Sequence, residues 1–187
     1  MRDRADMMRK TYAQKMAFTG IIAALCVVVL FLTGIVPIAT IALPALAGCL
    51  LIAVVVEAGV KWAFGAYAGC SLLSLLLVPD REAALFFIVF FGYYPALYAI
   101  LGRIKNVVIR WITKLAVFNA AMFLEVFVSV KFLNIPIEEI PFFGQNTVIV
   151  LFLLLNAVFI IYDKAFDGLI FRYIKVVQPK IKKMFRF

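Results

Sequence analysis

Glu125 is the one acidic residue set deep inside an apolar stretch of this chain, about 12 Å of helix from the stretch's end at Leu133. On a helix Met122 and Ser129, at i−3 and i+4, share its face. A carboxylate in hydrocarbon is costly, so it must turn to a bundle interior or a water-filled cavity. There it either touches a substrate or serves as a protonated or paired structural acid. Tyr93, Tyr94 and Tyr98 flank Pro95, and a phenol gives a ligand a stacking face and a polar tip. Tyr98 also suits an interfacial anchor, whereas Tyr93 and Tyr94 are too central for that. Asn119 and Asn156 fall at similar depth in two different apolar stretches, where paired amides would bridge adjacent helices. Glu139 and Asn146 lie in a polar loop, 134–146, beside Glu138 and Gln145.

Other chemistries lack their residues. There is no histidine for general base work, no HExxH, no GxSxG and no Walker A loop, so neither a hydrolase nor an ATPase is expected. Tyr162-Asp163 is half of an intramembrane aspartyl protease signature, but the partner Gly-x-Gly-Asp is missing, and two carboxylates are needed to share a proton. Cys26, Cys49 and Cys70 sit singly in apolar stretches, which predicts small buried thiols and neither a metal site nor a cofactor. The net charge of +9 comes from cations flanking apolar runs. That pattern points to anionic lipid at an inner leaflet and away from nucleic acid.

The elements that must position these groups follow from hydropathy. A chain that is 66% hydrophobic and 16% charged belongs to the membrane class. Apolar runs and their breakers predict an all-α polytopic bundle, one membrane domain over 1–187, with six spans near 17–36, 41–56, 62–78, 83–101, 112–133 and 147–162. Gly92 and Pro95 should kink the fourth span. A basic connector, 102–114, follows it, and 163–187 reads as a basic amphipathic segment. With both termini cytoplasmic, every Lys and Arg except Arg81 and Lys131 falls on the inner side.

Small residues mark faces for close helix approach: Ala13, Ala17, Gly20 and Ala24 on the first span, Ala42, Ala45 and Gly48 on the second, and a GxxxG at Gly65 and Gly69 on the third. Packing within the bundle is the general expectation for such faces, and the first span is the best candidate for a partner protein.

Six short spans, both termini inside and the AFTGIIAAL opening, Ala17 to Leu25, together resemble the S component of an energy-coupling factor transporter. That family's S component is the membrane subunit that binds a vitamin or metal ion. The resemblance implies that the first helix docks through a small-residue motif, here Gly20 and Ala24 extended by Ala13 and Ala17, onto a transmembrane coupling protein driven by two ATPases. It also implies an outward-facing cavity for a small-molecule substrate, with Tyr93, Tyr94, Glu125, Glu139 and Asn146 as contacts. The other class open to this sequence is a non-transporting structural subunit of a cell-envelope complex.

Overall fold

A computed structural model describes residues 2–36, 39–132 and 147–185, and every regular element among them is helical. The loop expected at 134–146, with Glu139 and Asn146, lies outside the described residues. The helices are α1 (Arg2–Phe31), α2 (Ala42–Glu57), α3 (Val60–Leu77), α4 (Arg81–Phe86), α5 (Tyr94–Leu101), α6 (Val107–Phe132), α7 (Thr147–Arg172) and α8 (Gln178–Phe185). Four stretches are long and apolar enough to cross a membrane: Tyr12–Gly34, Val60–Leu77, Arg81–Leu101 and Val107–Ser129. Large apolar side chains such as Val28, Leu76, Phe123 and Ile161 stand on the outside of the bundle. This is the surface of a protein whose solvent is lipid.

Breakers at the element ends explain the turns. Gly59, at φ 102°, takes a conformation that a side chain would strain, and it turns the chain sharply from α2 into α3. Asp80 caps α4 by accepting the Ala83 N–H at 3.0 Å, while the Thr40 hydroxyl donates to its other oxygen at 2.9 Å. Asn106 starts α6 by accepting from the Val108 N–H at 2.9 Å.

The expected kink in the fourth stretch is a wider, π-type turn at Phe87–Phe91, followed by a break at Gly92 and Tyr93. The Gly92 N–H reaches back to the Phe87 carbonyl at 2.7 Å. The Ile88 carbonyl accepts the Tyr67 hydroxyl from α3 at 2.7 Å, one of the compensations that let irregular backbone sit at membrane depth. Pro95 falls in the first turn of α5, where its missing N–H costs little.

Two clusters fill the interior. The first joins α1, α2 and α3 through Cys26, Leu30, Leu51, Val54, Ala63 and Cys70, closed by Ala84 and Phe87. Gly48 allows the closest approach within it, because a Cβ there would run into the Phe91 carbonyl. The second cluster is aromatic and joins α5, α6 and α7. Phe90 lies at its centre, edge-on to Phe118 and Phe159, which stack on each other at 4.4 Å.

Two helix boundaries differ from the expected span ends. The basic connector is shorter than 102–114: α6 begins at Val107, and Lys114, inside the expected fifth span as well, is buried about 10 Å along it. The last long helix extends past Tyr162. α7 continues unbroken through Asp163, itself buried, to Arg172, and a second π-type turn at Tyr173–Val177 leads into α8.

Candidate functional site

The strongest polar feature of the fold lies where α5, α6 and α7 meet, at the bundle end that also carries Lys61, Arg103 and Lys105. Lys114 of α6 and Asp163 of α7 are 5% and 2% exposed. The Lys114 Nζ donates to both carboxylate oxygens, at 2.6 and 2.8 Å, forming the one ion pair among the described residues. The Tyr94 hydroxyl of α5 also donates to Asp163 Oδ1, and one turn further along the Tyr98 hydroxyl donates to Asp167. The Lys114 ammonium lies 4.1 Å over the Tyr98 ring and 5.4 Å from that of Trp111.

Spacing explains how three helices build this network. Tyr94 and Tyr98, Arg110 and Lys114, and Asp163 and Asp167 are each four residues apart, so each pair stacks on one helical face. A charge here is tolerable because it is matched: Asp163 faces one cation and a phenol, and Lys114 faces a carboxylate and two rings. A cleft of about 140 Å³ opens beside the pair. Lys114 and Asp163 line its depth, Tyr98 and Trp111 its walls, and Arg110 and Asp167, with Gly102, its rim.

The residues expected to contact a substrate are dispersed. Tyr94 has no exposed surface, is packed among Phe90, Phe159 and Phe166, and has its hydroxyl engaged by Asp163. Tyr93 is half-buried, its ring 5.8 Å from that of Tyr67 and turned away from Asp163 into the α3 side of the bundle. Glu125 is 6% exposed and accepts the Ser129 hydroxyl at 2.9 Å. Asn119 and Asn156 do bridge α6 and α7: each amide donates to the other's carbonyl, at 3.2 and 2.9 Å.

The small faces divide. Ala13, Ala17, Gly20 and Ala24 are exposed, and a Cβ added at Gly20 would meet nothing within 4 Å. Gly65 and Gly69 of α3 are also exposed with open space around them, so the GxxxG packs on nothing among the described residues. The Cys70 thiol lies 3.5 Å from the Ala23 carbonyl and the Tyr12 ring 6.1 Å from Trp62, which sets α1 and α3 side by side and parallel. The two bare small-residue stretches therefore lie at similar depth.

Comparison of the chain with protein-family models, with curated proteins and with solved structures gives no match.

Proposed function

We propose that this chain is the substrate-binding membrane subunit of an energised uptake system, built as the S component of an energy-coupling factor transporter is built. In this reading α2 and α7 complete six spans with the four long apolar stretches. Both termini lie in the cytoplasm, because the cations outside the bundle gather at the end holding Lys61, Arg103 and Lys105, while Arg81 and Lys131 stand at the other. The basic segment from Lys164 onward meets anionic lipid on that cytoplasmic side.

The observation that carries the proposal is the bare face of α1. Helices in lipid associate by close packing of small residues, yet Ala13, Ala17, Gly20 and Ala24 are exposed, with nothing described packed over them, although α1 lies against both α2 and α3. Such a face fits a transmembrane coupling protein, itself driven by ATPase subunits. On the outer side Glu125 and Tyr93, with Glu139 and Asn146 in the adjoining loop, are the proposed contacts for a vitamin-like small molecule. Tyr94 belongs to the same stretch but acts from beneath, through α5.

The test is purification of tagged protein from its own membranes, with identification of co-purifying proteins and small molecules by mass spectrometry. A coupling protein and Walker-type ATPases that are retained by wild type and lost from Gly20→Leu/Ala24→Leu support the reading. Retention of the same partners by the double variant sinks it.

A structural subunit of a cell-envelope complex is the second reading. The sealed aromatic cluster around Phe90 and Tyr94 favours it, since those rings leave a ligand no space. No bound small molecule and no ATPase, but envelope-synthesis proteins in the eluate, would select it.

A further inference from the structure

The cleft beside Lys114 and Asp163 has the charges and size of a headgroup site. At its depth the charges cancel, because Lys114 and Asp163 neutralise each other. The rim is different. The Arg110 guanidinium makes no hydrogen bond or ion pair among the described residues, and Asp167 uses one oxygen to accept the Tyr98 hydroxyl and keeps the other free. Arg110 and Asp167 border the same cavity without bridging each other.

An anion at this rim would satisfy Arg110 and be opposed by Asp167, and a cation would meet the reverse. A ligand carrying both signs leaves neither rim charge unmatched, and the Trp111 and Tyr98 rings supply apolar walls. At about 140 Å³ the cleft holds the share of roughly five waters, below the ~300–1,000 Å³ of vitamin-sized ligand pockets. On the helical faces that line it, Val107 of α6 and Phe171 of α7 are exposed apolar side chains. Such flanks suit acyl chains, and a half-buried tryptophan next to an arginine is at home at headgroup level.

We propose that this cleft binds a phosphate and a primary ammonium joined by a two-carbon spacer, the phosphate on Arg110 and the ammonium on Asp167. Its source is phosphatidylethanolamine in the leaflet at the basic end of the bundle. Only the naming of that leaflet as cytoplasmic rests on the proposed orientation; binding itself depends on neither orientation nor transport.

The experiment is native mass spectrometry of the purified full-length protein, titrated separately with phosphatidylethanolamine, with phosphatidylglycerol of the same acyl chains, and with free phosphoethanolamine as competitor. Phosphatidylethanolamine should be retained at about tenfold lower concentration than phosphatidylglycerol, and Arg110→Gln and Asp167→Asn should each erase that preference. Lys175→Gln, which removes a cation distant from the cleft, should leave it intact. Equal retention of the two lipids, or a preference surviving in both rim variants at unchanged melting temperature, overturns the site. Displacement by equimolar free phosphoethanolamine overturns the lipid source and assigns the same chemistry to a soluble ligand. Should one rim variant fail to fold, the other decides.

Discussion

Breaking the Lys114–Asp163 pair from one side should cost far more than replacing it whole. Lys114→Met leaves a carboxylate almost without solvent contact and only the Tyr94 hydroxyl to satisfy it. Asp163→Leu leaves an ammonium beneath the Tyr98 and Trp111 rings with no counter-charge. Removing one partner of a buried pair costs about 3–5 kcal/mol, whereas replacing both with apolar groups of similar volume is close to neutral. Each single variant should therefore melt roughly 6–20 °C below wild type, taking about 2–4 °C per kcal/mol for a chain of this size, and the double variant Lys114→Met/Asp163→Leu should recover most of the loss. The assay is thermal unfolding in one detergent, followed by tryptophan emission. Trp111 lies beside the pair and reports on it directly. The cycle refutes the reasoning if the double variant loses the sum of the two single losses, because the groups would then be uncoupled.

Three further outcomes follow from the packing. Asn119→Leu should cost about 1–2 kcal/mol, and Asn156→Leu added to it should cost little more, because the two amides serve each other across α6 and α7; independent losses in a melting cycle would contradict the pairing. Gly48→Ala should destabilise by about 1–3 kcal/mol while Gly20→Ala leaves the melting temperature unchanged, since one Cβ meets the Phe91 carbonyl and the other meets open space; equal effects would count against the packing of α2. Cys26 and Cys70, both fully enclosed between α1 and α3, should react with a bulky maleimide only after denaturation. Prompt labelling of the folded protein at either position, read by peptide mass spectrometry, would show that this cluster opens.

Much of the architecture could be read from the residue pattern, because breakers and apolar runs act locally. Gly59, Pro79-Asp80 and the Gly92 to Pro95 stretch mark real turns and a real helix break, and the matched depths of Asn119 and Asn156 foretell their pairing. The Lys114–Asp163 contact is harder to see, since its members are 49 residues apart and each borders a basic segment. Next to Arg103, Lys105 and Arg110, Lys114 looks like one more flanking cation, and Asp163 looks like the first residue of a tail. A usable signal was nonetheless present: pairs four residues apart on three different stretches, two tyrosines, two cations and two acids, are a set that helical faces can bring together. The outward turn of Gly65 and Gly69 had no such signal, because close approach within a chain and docking onto another chain need the same small residues.

The π-type turn at Phe87–Phe91 sets the rotational phase of everything after it. Up to its first residue, Ala84 and Phe87 point into the α1–α3 cluster; from Phe90 within it onward, Phe90 and Tyr94 point into the aromatic cluster shared with α6 and α7. Each residue of an α-helix advances the side chain by about 100°, so the added residue in this turn offsets the two halves by roughly that angle. Deleting one residue here would remove that offset and swing Tyr94 and Tyr98 together off Asp163 and Asp167. Single-residue length changes in this turn are thus felt by the charge network that α5 shares with α6 and α7, which the turn meets through the Phe90 ring on Tyr94.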